Sequence, residues 1–255
     1  MIVPAEPRAA VVAAIPHGGR EVPERFRHGM VVDPATLWSD YFTSELYGFL
    51  PRLGVTVVRT SLSRFVADPN RDPDSGHGSF WRTVVPAVDP QDRPLYARPL
   101  TDAEVANRVA AAHTPFHRLL DEAIGELSRS NRPVLVLDLH SFGLDLGVDV
   151  VLGDRRGDTA ASEATGLVED AFRSHGYTTV RNRRFTGGRL VQRVGAPGRV
   201  DAVQIELNQR VYLDPAQADS PTGVPALDQA RLAEASERLE RVLAGVVAGF
   251  GRPFS

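Results

Sequence analysis

The stretch Val134-Leu-Val-Leu-Asp-Leu-His-Ser141 decides the fold class and contains the first candidate functional residues. Its apolar first half is typical of a strand that is buried on both faces, as strands are in parallel sheets. Polar side chains then follow at Asp138, His140 and Ser141. Because residues two apart in a strand point to the same face, Asp138 and His140 share one side. A carboxylate beside a metal-binding imidazole commonly orients it, whereas the simpler interpretation is that a loop begins here.

Further short apolar runs predict additional strands, at 9–15, 55–60, 148–152, 178–180 and 202–205, beside the strand at 134–139. Helical patterns lie between them, at 33–53, 101–127, 161–174 and 239–247. Strands that alternate with helices indicate a sheet that is covered on both faces. We therefore predict an α/β fold, a single domain over residues 1–255 whose mostly parallel or mixed central sheet is flanked by helices.

Two local signals refine this prediction. The run Thr101-Asp-Ala-Glu104 is a capping box that opens a helix, and Pro115 should kink that helix. Residues from about 69 to 99 are rich in Pro, Asp, Gly and Arg and have no clear period. We predict an irregular excursion over the sheet edge, because loops of this length in a compact domain are usually functional or mobile.

Composition and charge exclude several classes of protein. Hydrophobic residues make up 42% and charged residues 24% of the chain, which is ordinary for a globular protein. The net charge of -3 gives no reason to expect nucleic acid or an anionic membrane as a partner. No stretch reaches the roughly 20 apolar residues of a membrane span, and the amino terminus lacks a secretory pattern, so we expect a cytoplasmic protein. Without cysteine, the strong metal ligands are His, Asp and Glu.

A second candidate site residue is His17, within Ile15-Pro-His-Gly-Gly-Arg-Glu21. An apolar strand ends here in a histidine, and the two glycines after it allow a sharp turn and a close backbone approach. Sites in open α/β sheets form at the carboxyl ends of strands. His17 could simply end a strand, but a second strand-end histidine, His140, favours a shared metal site.

Two further segments carry residues suited to hydrolytic chemistry. Ala202-Val-Gln-Ile-Glu206 places Glu206 at the tip of an apolar strand, where a carboxylate could activate a metal-bound water. Alternatively, Glu206 pairs with Arg210. Asn70 and Arg71 offer an amide and a guanidinium fork, which suit a substrate carboxylate or carbonyl.

His113 and His117 lie four residues apart on one predicted helix. That spacing could bind a metal, but no glutamate accompanies the pair in the metalloprotease pattern. We interpret both as helix-face residues, with His117 near the site.

In their order along the chain, these segments resemble the N-formylglutamate amidohydrolase (deformylase) family, which is similar to the zinc carboxypeptidase and aspartoacylase fold. The resemblance covers nearly the whole chain. Its motifs are Pro16-His-Gly-Gly-Arg-Glu21, Asp40, Asp68-Pro-Asn-Arg71, Leu95-Tyr-Ala-Arg98, Pro115-Phe-His117, Asp138-Leu-His-Ser141, Gly187-Gly188 and Gln204-Ile-Glu-Leu207.

The resemblance implies one divalent metal ion, zinc in type, with His17 and His140 as ligands. For the third ligand, the deformylase-like pattern points to Asp40. The carboxypeptidase pattern points instead to Glu21, although the spacing from the first histidine differs by one residue. Helical periodicity places Asp40 opposite the apolar stripe of its predicted helix. We choose Asp40 and keep Glu21 as the alternative.

The remaining roles are also implied by the resemblance. Glu206 is the general base, and Arg71 assists catalysis and binds substrate. The other substrate-binding residues are Asn70, Arg98, Gly188 and Arg193.

The implied reaction is hydrolysis of N-formyl-L-glutamate, or a close N-acyl amino acid, to formate and glutamate, as in histidine degradation. The nearest alternative is a related zinc deacylase or carboxypeptidase that acts on another N-acyl amino acid or a peptide. An alternative of another class is a metal-binding or anion-binding protein without catalysis. A serine hydrolase is not favoured, since no Gly-x-Ser-x-Gly motif is present.

Overall fold

The computed structural model of the protein describes residues 1–3, 9–129, 133–218 and 224–250. The strands in these ranges are β1 (Ile2–Val3), β2 (Val11–Ile15), β3 (Thr56–Arg59), β4 (His77–Gly78), β5 (Val85–Pro86), β6 (Val134–Phe142), β7 (Val150–Gly153), β8 (Thr179–Arg181) and β9 (Val200–Asn208). The α-helices are α1 (Thr43–Leu46), α2 (Asp102–Arg108), α3 (Thr114–Ser128), α4 (Ser162–Ser174), α5 (Arg189–Val194), α6 (Pro215–Ala218) and α7 (Gln229–Phe250). All six predicted strands are present, with their ends shifted by a few residues.

The central sheet has the strand order β1-β3-β2-β6-β9-β7-β8. Strands β3, β2, β6 and β9 run parallel to one another, while β7 is antiparallel to β9 and β1 is antiparallel to β3. The predicted mixed sheet is therefore confirmed. Strands β6 and β9 pair along their whole lengths and are entirely buried, which explains why apolar residues occur on both faces of each strand.

Alternate side chains of β6 enter two different apolar layers. Leu135, Leu137 and Leu139 face a layer that includes residues of α4 and α7. Val134 and Val136 face a layer that includes residues of α3 and α5. Helices therefore flank both faces, as predicted. On the α3 side, Val136 is followed by the polar side chains of Asp138 and His140 before Phe142 ends the strand.

The predicted helix over 33–53 is wrong. Only 3-10 turns at Pro34–Thr36 and Leu50–Leu53, with the single-turn α1 between them, occupy this segment. The backbone of Phe42 is left-handed, with φ of 58°, and this interrupts any continuous helix. The apolar periodicity reflects burial instead, since Leu46 and Phe49 are buried although they do not share one helix.

The helical pattern after Thr101 is correct in outline. The capping box is confirmed, with both of its hydrogen bonds present. A π-helical turn at Val109–His113 separates α2 from α3 just before Pro115. Proline lacks the N–H that a helix interior needs, and a π-turn is one way in which a helix accommodates such an interruption.

Residues 69–99 are mostly irregular, as predicted, but they surround an apolar cluster. Phe80, Val84, Val85 and Leu95 are buried in it, together with residues such as Phe65 that precede the excursion. The short strands β4 and β5 pair in parallel there. Within the described ranges, no helix combines the length and apolarity that crossing a membrane requires.

Candidate metal centre and substrate cavity

The register of β6 and β9 places polar side chains in pairs near the carboxyl end of the sheet. Asp138 lies opposite Gln204, and His140 lies opposite Glu206. Neighbours in register point to the same face of a sheet, so all four side chains lie on the α3 side. All four are buried. The strands themselves therefore bring together a histidine and three polar side chains from distant parts of the sequence.

His17, Asp40 and His140 come together at this end of the sheet. Each offers one potential ligand atom, and these atoms lie within 4.8 Å of one another. All three residues are buried, and the two imidazole rings meet with centroids 4.7 Å apart. Glu21, the alternative third ligand, is exposed and accepts a hydrogen bond from Ser61 Oγ at 2.8 Å. The geometry therefore favours Asp40 over Glu21.

Local backbone features bring His17 and Asp40 into position. His17 closely follows β2, and a Cβ atom at Gly19 would lie 2.4 Å from the backbone carbon of Ser61. Only glycine allows so close an approach. Asp40 lies in the segment where the predicted helix is interrupted, and its Oδ2 accepts a hydrogen bond from the backbone N–H of Ser141 at 3.0 Å.

Each imidazole lies between Asp40 and a second carboxylate. His140 has Nδ1 3.2 Å from Asp40 Oδ2 and Nε2 2.9 Å from Asp138 Oδ1. His17 has Nδ1 3.7 Å from Asp40 Oδ1 and Nε2 2.6 Å from Asp68 Oδ1. Carboxylates in such outer positions fix the orientation and tautomer of metal-binding histidines. Both rings therefore turn Nδ1 toward Asp40, where an ion could bind.

Neighbouring charges keep this buried group ionised. Burial would raise the pKa of Asp40, but His17 and His140 lower it strongly. Burial would also raise the pKa of Asp68, but the buried Arg64 guanidinium and His17 hold that pKa well below its usual range. At His140, burial opposes protonation, yet Asp138 and Asp40 raise the pKa well above its usual value. A proton on a histidine must leave when a metal binds, so metal affinity is expected to fall at low pH.

The residues present fit a divalent cation. Asp40 Oδ1 is buried and has no hydrogen-bond partner in the described part of the chain, as expected of an oxygen atom that would coordinate a metal ion. Two imidazoles and one carboxylate match the three-ligand pattern of catalytic zinc sites. Three further buried carboxylates, those of Asp68, Asp138 and Glu206, lie around the group. With Asp40 they outnumber the two adjacent arginines, Arg64 and Arg71.

Glu206 is a buried carboxylate with a pKa suited to proton transfer. Burial is the largest reason that its pKa is raised to about 7. Gln204 Nε2 donates to Glu206 Oε1 at 2.7 Å, and Gln204 Oε1 accepts from the backbone N–H of Gly188 at 2.6 Å. Gln204 therefore fixes the position of Glu206. Arg210, the alternative partner of Glu206, forms an ion pair with Asp145 instead, at 3.3 Å.

Asn70 and Arg71 adjoin the histidine group. Asn70 Nδ2 lies 3.2 Å from His140 Nε2, and Asn70 Oδ1 accepts from the backbone N–H of Leu190 at 2.8 Å. A Cβ atom at Gly188 would lie 2.4 Å from the Asn70 amide, so glycine is needed there. Arg71 Nη1 donates to the Asn70 carbonyl at 3.0 Å, and Arg71 Nε has no hydrogen-bond partner among the described residues.

His113 and His117 support the backbone of this segment. His117 Nε2 lies 2.8 Å from the carbonyl oxygen of Pro69, and His113 Nε2 lies 3.2 Å from that of Arg71. Both histidines are buried, and burial lowers the pKa of His117 to about 4. Neutral imidazoles thus hold the two carbonyls that flank Asn70. The helix face that carries His113 and His117 therefore supports the backbone around Asn70, and neither histidine lines the cavity.

A cavity of about 510 Å³ adjoins the histidine group. The predicted site residues that line it are His17, Asp40, Asn70, Arg71, His140, Gly188 and Glu206. Arg98 and Arg193 are not brought to it. The Arg98 guanidinium pairs with Glu104 at 2.8 Å, and that of Arg193 pairs with Asp121 at 2.8 Å. Local carboxylates pair with both groups, and neither lines the cavity, so their contact with substrate stays a prediction.

Sequence reasoning did not assign a role to several residues of the site. Gln204 could have been found, because it lies two residues before Glu206 on a strand and therefore shares its face. Arg64 and Arg184 line the cavity, but neither belongs to a pattern that distinguishes it from a surface arginine. Asp68, which orients His17, lies outside the regular strands, where no alternation predicts the direction of a side chain.

The fold and the site together define a class. The protein is an α/β protein with a buried candidate metal site and an adjacent carboxylate at the carboxyl ends of its parallel strands. That arrangement is suited to metal-assisted hydrolysis.

Comparison with known proteins gives the family. Residues 9–213 match the family described as N-formylglutamate amidohydrolase, and the chain belongs to that family. It is 28% identical to the N-formylglutamate deformylase of Pseudomonas aeruginosa, over 96% of this chain and 95% of that protein. Its identity to the N-formylglutamate deformylase of Pseudomonas putida is also 28%, over 92% of this chain and 96% of that protein.

Solved structures agree with this assignment. The crystal structure of N-formylglutamate amidohydrolase from Ralstonia eutropha matches with a TM-score of 0.77 and 28% sequence identity, over 96% of this chain and 95% of that one. A gene product of Agrobacterium tumefaciens shares the fold, with a TM-score of 0.74 and 17% identity over 99% of this chain and 96% of that one. The family resemblance seen in the motifs is thereby confirmed.

Proposed function

We propose that the protein hydrolyses the formyl amide of N-formyl-L-glutamate to formate and glutamate. The observation that carries the proposal is the buried carboxylate of Glu206 beside the group of His17, Asp40 and His140. The family supports the substrate, since relatives from two Pseudomonas species are N-formylglutamate deformylases.

The three clustered residues would hold one divalent metal ion, and their donor atoms favour zinc. When bound, the ion supplies Lewis-acid activation of the formyl carbonyl and of the attacking water. Asp68 and Asp138 hold the far nitrogens of the two imidazoles at 2.6 and 2.9 Å. The ligands are therefore oriented by the protein itself.

Glu206 acts first as a general base and then as a general acid. It takes a proton from the water that attacks the formyl carbon, and the carbonyl electron pair moves to oxygen as the new C–O bond forms. When the electron pair returns and the C–N bond breaks, Glu206 gives the proton to the departing amine of glutamate. A pKa of about 7 suits a group that must both accept and release a proton near neutral pH.

Asn70 and Arg71 bind the substrate beside the reacting bond. The Arg71 guanidinium lies next to the histidine group and can pair with the carboxylate nearest the amide. Asn70, held by Leu190 and adjacent to His140, presents an amide to the same region. Gly188 also lines the cavity, and its lack of a side chain leaves room for the Asn70 amide beside it.

Replacement of Glu206 tests the mechanism. Glu206→Gln keeps the shape and the contact with Gln204, so zinc content should match that of the unmodified protein. Formate release from N-formyl-L-glutamate should fall by roughly 100-fold or more, the usual effect of losing a general base. Glu163→Gln, an exposed change on α4, is the control and should leave the rate unchanged. A Glu206→Gln enzyme with full activity would refute the role of Glu206.

Two alternatives predict different results. A related deacylase or carboxypeptidase would cleave other N-acyl amino acids or peptides faster than the formyl substrate, so a substrate panel separates it. A metal-binding protein without catalysis would retain zinc and release no product from any member of the panel. A role in histidine degradation and a cytoplasmic location stay predictions of the sequence.

A further inference from the structure

One arginine of the substrate cavity has neither a role in the proposed mechanism nor a partner among the described residues. The arginines that line the cavity are Arg64, Arg71 and Arg184. Arg64 is buried and pairs with Asp68, and Arg71 approaches the same carboxylate at 4.0 Å. Arg184 is exposed, and within the described ranges its side chain has no hydrogen bond or ion pair. It is therefore a cation that faces the cavity and is free to bind a ligand.

The loop that carries this arginine, residues 182–188 between β8 and α5, is anchored on both sides of it. Before it, Asn182 Nδ2 donates to Asp154 Oδ1 at 2.7 Å. After it, the ring of Phe185 packs on that of Phe142, with centroids 5.3 Å apart. Phe142 is the last residue of β6, so the loop is attached to the strand that provides His140. These anchors fix the backbone on both sides of Arg184, whose side chain lines the cavity.

The backbone of Arg184 is also unusual. Its φ of 66° lies in the left-handed region, which few residues other than glycine adopt. Such conformations persist where the surrounding structure enforces them, often at ligand sites. The adjacent Arg183 is also exposed, but it does not line the cavity and its φ is not positive. The loop therefore directs only one of two neighbouring arginines to the cavity.

Apolar side chains surround the mouth of the cavity. Trp81 and Leu144 line it although they are 52% and 44% exposed, and Phe142 and Phe185 line it as well. An ion pair beside apolar groups is stronger than one in open water, because the local dielectric constant is lower. These groups can also contact the methylene carbons of an acidic side chain.

We propose that Arg184 determines specificity by binding the side-chain carboxylate of an N-acylated acidic amino acid. The inference rests on the proposed function. Such a substrate has two carboxylates, and Asn70 with Arg71 serves the one beside the amide. Arg184, on a separate loop, serves the second. Bidentate pairing of a guanidinium with a carboxylate gives both affinity and orientation.

Steady-state kinetics with two matched substrates test this role in the zinc-loaded protein. N-formyl-L-glutamine has the shape of N-formyl-L-glutamate and keeps its α-carboxylate, but its side chain carries no negative charge. Arg184→Met should lower kcat/KM for the glutamate substrate roughly 10- to 100-fold, as expected for a hydrogen-bonded charge. The value for the glutamine substrate should change less than about 3-fold. Arg184→Lys should recover part of the loss, and Arg183→Met, the matched control, should change neither value.

The outcomes separate this inference from the function on which it rests. Equal losses on both substrates, or no loss on either, would overturn the role of Arg184. If the unmodified protein releases no formate from either substrate, the proposed function fails. Calorimetric binding of N-formyl-L-glutamate and N-formyl-L-glutamine to the zinc-loaded protein then still decides on Arg184. Weaker binding of only the glutamate compound by Arg184→Met would support the inference, and unchanged preference would refute it.

Discussion

Protonation of His117 should couple the stability of the protein to pH. Burial, followed by the nearby charges of His113 and Arg193, lowers the pKa of His117 from 6.5 to about 4. Between these values the unfolded chain binds a proton that the folded chain does not. The contribution of His117 to stability is therefore fully present above the unfolded pKa and is lost as the pH falls toward the folded one. From about pH 7.5 to about pH 5, we expect a loss of about 2 kcal/mol.

His117→Gln isolates this contribution. Glutamine retains an N–H that can donate to the carbonyl of Pro69, but it does not titrate. Urea unfolding at the two pH values, at one zinc concentration, gives the free energy of unfolding for each form. The unmodified protein should lose about 2 kcal/mol more than His117→Gln on acidification, whereas the exposed control His28→Gln should behave like the unmodified protein. Parallel losses in His117→Gln and the unmodified protein would refute the reasoning.

Two further substitutions test the surroundings of the candidate metal centre. Gly188→Ala places a Cβ atom 2.4 Å from the Asn70 amide. Because Asn70 must then move, kcat/KM should fall roughly 10-fold or more. The control is Gly125→Ala, where the added Cβ meets open space, and it should retain full activity. Asp138→Asn removes the charge 2.9 Å from His140 Nε2, and chelator competition should show zinc affinity reduced roughly 10- to 100-fold. Unchanged zinc affinity would mean that Asp138 does not support His140.

The parts of the site on strands could be predicted from the sequence, because strand geometry determines side-chain direction. His140 follows an apolar run in β6, and Glu206 follows one in the neighbouring strand β9. The parallel register of these two strands places the two residues side by side. Asp138 followed from its spacing to His140. The same alternation points to Gln204, which shares the face of Glu206.

The parts on irregular backbone could not be predicted in the same way. Periodicity indicated a helix around Asp40, yet the left-handed Phe42 interrupts it, and only tertiary contacts determine where Asp40 points. It was harder still to predict which arginines face the cavity. Arg98 and Arg193 have local carboxylate partners, whereas Arg184 has none in the described ranges, and no sequence pattern distinguishes the two situations.

The pairing of His140 with Glu206 across adjacent strands has a consequence for how this protein can diverge. Their backbones are separated by one strand spacing, about 4.8 Å, so the distance between the proposed metal ligand and the proposed base is determined by the sheet. A single-residue insertion early in β9 would turn Glu206 toward the opposite apolar layer and expose Ile205 to the cavity. Insertions in residues 69–99 or 182–188 leave that spacing intact. New substrates are therefore accessible through loop changes, while the hydrolytic chemistry tolerates no change of register.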